Sequence, residues 1–108
     1  MKEYLGEFEQ LVMLALLRLG DSAYGMSVRR EIEARTGRDI AIGAVYATLD
    51  RLEGKGMVAS KTGEATEDRG GRAKRMFLPT AAGLSALQAS REAVARMSQG
   101  LELEGLVW

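Results

Sequence analysis

Apolar residues recur with a helical period in four stretches of this 108-residue chain, and two short β-prone runs lie between the third and the fourth. In residues 5–19, Leu5, Phe8, Leu11, Val12, Ala15, Leu16 and Leu19 form one stripe, and Met13, Leu14 and Leu17 lie on the opposite side. Both faces of this helix require burial, so a partner chain, through its own C-terminal helix, is the expected cover of the second. Unbroken apolarity spans only residues 11–17 and follows Glu3, Glu7 and Glu9, too short and wrongly flanked for a membrane span or an export signal. Gly20-Asp21-Ser22 ends the helix and offers Asp21 or Ser22 as the next N-cap. A second helix is predicted over residues 23–36, with Val28 and Ile32 as its core pair, Tyr24 or Gly25 one turn back, and Gly37 placed for a left-handed C-cap. Its Arg29, Arg30 and Arg35 alternate with Glu31 and Glu33 and read as a solvated charged face.

The third helix, residues 42–55, follows after only a few residues. Ile42, Val45, Leu49 and Leu52 make its apolar face; Gly43, Ala44, Ala47, Thr48, Arg51 and Lys55 are expected opposite. That outward face is small at its start and basic at its end, a form suited to a DNA groove and its phosphates. Two helices in tandem with such a second member follow the helix-turn-helix pattern. Gly54 and Gly56 end it, and two strands are expected at 57–62 and 74–78, forming a hairpin with a long polar tip. Glycines at 63, 70 and 71 make that tip an expected exposed, mobile loop, and Arg69, Arg72, Lys74 and Arg75 cluster on its returning arm. The arm reads either as a wing reaching backbone or minor groove, or as a solubilising charged loop.

Thr80 is a suitable N-cap for a final helix over 81–100. Leu87, Val94 and Leu101 recur every seven residues, with Met97 and Leu84 alongside. This seam and the spare face of the first helix are together explained by a symmetric dimer. Its predicted interface is Met13, Leu14, Leu17, Leu84, Leu87, Val94, Met97 and Leu101. Residues 102–108 extend the helix or dock as an apolar tail.

Composition narrows the chemistry. Cysteine and histidine are both absent, which removes disulfides, the usual zinc ligands and any histidine-based triad. Gly70-Gly71-Arg72-Ala73-Lys74 lacks phosphate-loop spacing, and Glu64, Glu67 and Asp68 lie in a loop that cannot preorganise a metal or acid/base site. No catalytic residue, metal or cofactor is expected. Fifteen basic and fifteen acidic side chains leave the chain neutral, yet residues 24–80 hold eleven basic against eight acidic, so positive charge gathers in the middle.

Leu5-Gly6 with Glu9, the run Val12-Met13-Leu14-Ala15-Leu16-Leu17, then Tyr24-Gly25, Thr36-Gly37, Gly43 with Tyr46, Leu49-Asp50-Arg51-Leu52-Glu53 with Gly56, and Gly71-Arg72-Ala73-Lys74-Arg75 ending at Thr80 resemble the PadR-like transcriptional regulators. The resemblance covers residues 5–87. It implies a mainly α fold with a small β-hairpin, a winged helix-turn-helix over 1–80, and a single C-terminal dimerisation helix with its tail over 81–108, as in the short form of the family. It further implies a cytoplasmic homodimer that represses its target promoter at a pseudo-palindromic double-stranded DNA operator, and it permits a small-molecule effector. The expected DNA-binding residues are Ala44, Tyr46, Ala47, Thr48, Arg51, Lys55, Arg72, Lys74 and Arg75, with Thr48 and Arg51 reading base edges. Tyr46 is a candidate phosphate contact by resemblance, or else a half-buried packing tyrosine. Ala41, Ala44 and Ala47 stand where family members commonly carry Ser, Thr and Pro, and Met76-Phe77 and Pro79 replace the more usual residues of the returning strand. A protein-interaction module built on the same helices is the alternative function.

Overall fold

Helix α1 (Glu7–Leu19) is the centre around which the other elements are laid. Two further helices, α2 (Gly25–Thr36) and α3 (Ile42–Gly54), pack on one side of it, followed by strands β1 (Val58–Ala65) and β2 (Ala73–Pro79) and by helix α4 (Ala81–Ser98). The computed structural model describes residues 3–65 and 73–104. Of the expected mobile tip, residues 63–65 and 73 belong to the two strands instead, while residues 66–72 and the final residues 105–108 lie outside the described residues.

Local chemistry explains the boundaries. Gly6 is the N-cap of α1, and its N–H donates to Glu9 Oε1 at 2.8 Å, so the helix begins two residues later than the apolar stripe suggests. Gly20–Ser22 forms a turn of 3₁₀ helix rather than a cap, and α2 starts beyond it. Tyr24 is its N-cap, with the Tyr24 N–H donating to Ser27 Oγ at 2.9 Å while that hydroxyl donates to the Ser22 carbonyl at 2.6 Å. Gly37, at φ 73°, gives the left-handed C-cap the sequence predicted. In the following turn the Ile40 N–H donates to Glu33 Oε2 at 3.0 Å, which fixes the entry into α3.

The hairpin is antiparallel, pairing Val58 with Pro79 and Ser60 with Phe77, with a register shift between Thr62 and Ala65. Tyr24 adds a one-residue bridge to Met76, and the Phe77 N–H donates to the Ala23 carbonyl at 2.9 Å. The segment before α2 thus serves as a third, minimal strand. One core runs through all elements: Val12, Met13 and Leu16 from α1, Val28 and Ile32 from α2, Val45, Leu49 and Leu52 from α3, then Met57, Val58, Phe77 and Leu87.

Helix α4 leaves the hairpin through Thr80, whose hydroxyl accepts from the Gly83 N–H at 3.1 Å and donates to the Gly56 carbonyl at 2.7 Å. Farther along, the Leu5 N–H donates to buried Ser90 Oγ at 2.8 Å, and Ser90 donates to the Ala86 carbonyl at 2.7 Å. This first half of α4 covers the second face of α1 within the same chain. Two residues assigned to the dimer interface are thereby corrected: Met13 is fully buried and Leu87 nearly so, both in the protomer's own core. Leu14 is half-buried, whereas Leu17, Leu84, Val94, Met97 and Leu101 remain exposed. The helix ends at Ser98, two residues earlier than predicted, and residues 101–104 are not helical.

The close passage of α4 depends on Gly83. A Cβ there would stand 2.0 Å from the Met57 carbonyl oxygen and 2.8 Å from Met13 Cε, and the first of these is backbone that cannot rotate away. Gly83→Ala should therefore lower unfolding stability by about 2 kcal/mol or more, through overpacking, despite alanine's better helix propensity. Denaturant unfolding measures this directly, and a stabilised Gly83→Ala would contradict the packing.

Candidate nucleic-acid interface

The exposed surface of α3 has a centre and two flanks. At 100° per residue, Gly43, Ala47, Asp50 and Gly54 fall within an arc of about 60°, and all four are exposed. Three of them carry no side chain beyond a methyl, so the backbone of α3 is open to close approach along this line.

On the flank toward α1 stand Ala44, Arg51 and Lys55. Glu9 of α1, only 8% exposed, binds both cations: Oε2 accepts from Arg51 Nε at 3.2 Å and lies 3.6 Å from Lys55 Nζ. Burial alone would raise the Glu9 pKa, but the Gly6 N–H, Arg51 and Lys55 outweigh it and hold the carboxyl below its ordinary range. Arg51 Nη2 also donates to Thr48 Oγ1 at 3.4 Å. Thr48 itself is 3% exposed, which corrects its assignment to the outward face. It sits about 40° of arc from Leu52, at the border of the buried face of α3. A buried hydroxyl there cannot reach a base edge.

On the opposite flank, Tyr46 is 40% exposed and its ring lies across Gly25, the first residue of α2. A Cβ at Gly25 would fall 2.2 Å from Tyr46 Cζ, so the ring packs against the start of α2 while one side remains open, which is the half-buried packing alternative. Lys74 of β2 places Nζ 3.8 Å from the centre of the Tyr24 ring. Lys74, and more weakly Arg30, draw the Tyr24 phenol below its usual pKa.

Arg75 points the other way from Lys74, as strand alternation requires. Nη1 meets Asp50 Oδ1 at 3.0 Å, Nη2 pairs with Glu53, Nε donates to Ser60 Oγ at 3.2 Å, and the guanidinium lies 4.8 Å from the centre of the buried Phe77 ring. All three nitrogens are engaged, so Arg75 joins the hairpin to α3 instead of extending from the wing. The Ser60 hydroxyl and Arg75 together hold the Glu53 pKa below its ordinary value against burial. Arg72 lies outside the described residues.

The sequence-derived set is therefore split. Ala44, Tyr46, Ala47, Arg51 and Lys55 share the open side of α3, Lys74 is beside Tyr24, Arg75 is tied back and Thr48 is buried. Sequence reasoning missed Glu9, although its position three residues after the Gly6 cap is a capping-box signal. It also missed Asp50, which lies on the same helical line as Ala47. Among the described residues no cluster of acids could hold a metal ion, and no helix is long and apolar enough to cross a membrane.

Three helices with α3 packed beside α2, followed by an antiparallel hairpin to which the pre-α2 segment adds a bridge, define a winged helix-turn-helix protein. The model of the PadR-like transcriptional regulator family matches residues 13–89. This chain belongs to that family, whose members are transcription regulators rather than enzymes. Among solved structures it is similar to a PadR family transcription regulator from Clostridium difficile, with 20% identity, TM-score 0.71, and coverage of 87% of this chain and 93% of the other. A PadR-like transcription factor from Bacteroides fragilis has 20% identity and TM-score 0.72, over 85% of this chain and 84% of that one. F93 from STIV, described as a winged-helix DNA-binding protein, has 18% identity and TM-score 0.69, over 93% of this chain and 100% of F93. A comparison with curated proteins finds no match.

The lowered Glu9 pKa has a defined consequence for stability. Its contribution is fully present above the unfolded carboxylate pKa and is lost as pH falls through the lower folded value. Glu9→Gln should cost about 1.5–3 kcal/mol near neutrality, the range for a hydrogen bond to a charged group. The difference from the parent should shrink below about pH 4. Thermal melts of both proteins across that range check it; a difference constant with pH would mean the carboxylate charge is not what holds α1 to α3.

Proposed function

We propose that this PadR-like protein is a homodimeric, sequence-specific double-stranded DNA-binding repressor that lays α3 in the major groove. The observation that carries the reading is the bare outward line of Gly43, Ala47 and Gly54, which permits close approach, bordered by Arg51 and Lys55 on one side and Tyr46 on the other. Ala44 and Ala47 contribute shape and contact with a thymine methyl. Arg51, its Nε edge occupied by Glu9, keeps the Nη1 end for a phosphate beside Lys55, and Tyr46 supplies a phenol to the backbone on the other side. Lys74 and Arg72 serve the wing. Residues 1–80 form the DNA-binding part and 81–108 the dimerising part, and a repressor of chromosomal promoters works in the cytoplasm.

The exposed end of α4 supports the dimer. Val94 and Met97, near the end of α4, are 63% and 82% exposed, Leu101 just beyond the helix is 58% exposed, and Leu84 and Leu17 are further exposed apolar residues. A two-fold axis through it would set two α3 helices against half-sites about 10 bp apart, hence a pseudo-palindromic operator.

Two measurements test the reading. Binding to duplexes selected from a random pool should weaken with salt, with a log-log slope of about −0.9 per phosphate contacted. Arg72→Ala should flatten that slope by about one contact on every sequence; binding indifferent to salt, or to any duplex, contradicts it. In sedimentation, Val94→Asp should give folded monomers, because it charges the exposed seam alone. Leu87→Asp, in contrast, should unfold the protomer. A Val94→Asp protein that sediments like its parent would remove α4 from the interface.

A further inference from the structure

The middle of the outward face of α3 holds one charged side chain, and it is an acid. Asp50 lies between Gly43, Ala47 and Gly54, none of which reaches beyond a methyl, and its side chain is 58% exposed. The two residues that the sequence assigns to base reading are both removed from this line, since Thr48 is buried and Arg51 is drawn to Glu9 on the α1 flank.

An acid at this place weakens binding to a polyanion of any sequence, so its contribution has to come from a contact that phosphates do not make. The ion pair with Arg75 does not by itself account for it, because Glu53 and Ser60 already hold the same guanidinium. That anchoring fixes Asp50 in turn: Arg75 Nη1 occupies Oδ1 at 3.0 Å and keeps the carboxylate in one orientation, with Oδ2 unengaged by any described residue. An ionised carboxylate only accepts hydrogen bonds, and the base that presents a donor with no acceptor of its own on the major-groove edge is cytosine, through its N4 amine.

We propose that Asp50 is the specificity-determining residue of this regulator, reading a cytosine in each half-site through its N4 amine, with Arg75 as the positioning residue behind it. The proposal rests on the reading of α3 as the groove helix. Selection from a random duplex pool, run in parallel with the parent, Asp50→Ala, Asp50→Asn and Arg75→Gln, separates the two. The parent should select a palindrome with one cytosine per half-site that it prefers about tenfold over other bases. Asp50→Ala should lose that preference while binding scrambled duplex more tightly than the parent. Asp50→Asn should shift the position toward adenine, whose N6 and N7 an amide pairs bidentately. Arg75→Gln should weaken selectivity yet keep cytosine as the preferred base, and unfolding melts of all four establish that each is folded. A parent that binds no duplex ends the regulator reading and this inference with it. A parent that selects a motif unchanged in Asp50→Ala leaves the regulator reading standing and overturns the role of Asp50; an Arg75→Gln that keeps the cytosine preference at the parent's full strength overturns Arg75 as its positioning residue.

Discussion

A helix that is apolar on two sides has to be covered twice, and the structure follows from how α1 meets that requirement. Helices α2 and α3 cover the face of Val12 and Leu16, and the start of α4 covers Met13. The second cover is possible because Gly83 lets the α4 backbone come against the Met57 carbonyl, while Thr80 joins the ends of α3 and β2 to the first turn of α4. With its first half committed in this way, α4 has no protomer surface left for Val94 and Met97, and its apolar end stands out from the body. The same packing buries Glu9 beside α3, so the cover of α1 also sets where Arg51 and Lys55 can go.

Electrostatic pairing is the second theme. The chain is neutral overall, and the neutrality is local as well: Arg51 and Lys55 answer to Glu9, and Arg75 to Asp50 and Glu53. The Arg75 pairs are half-exposed and contribute little to stability, whereas those of Arg51 and Lys55 end on the buried Glu9 carboxylate. All of these pairs also set direction. They pull cationic side chains to the two flanks of α3 and leave its centre to small residues and one acid. Tyr24 and Lys74 repeat the pattern at the base of the hairpin, where the cation lies against a ring.

Periodicity determined the elements. The four helices, the hairpin, the left-handed cap at Gly37 and the N-cap at Thr80 were all readable from the chain, because each depends on neighbours within one turn or on alternation along a strand. The spacing of Tyr24-Gly25, Gly43 with Tyr46 and the Leu49–Glu53 run was enough to place the chain among PadR-like regulators, which the family match over residues 13–89 bears out. Tertiary structure decided what each outward side chain does. Thr48 is buried because the packed arc of α3 is wider than its apolar residues mark, and Met13 and Leu87 are core because Gly83 lets α4 fold back onto its own chain. Arg75 is tied down because strand register sets it opposite Asp50 and Glu53, residues more than twenty positions away. A one-dimensional pattern fixes the period of burial, but the width of each buried face and the partner of each charge depend on how closely distant elements approach, and that is a property of the packed chain alone.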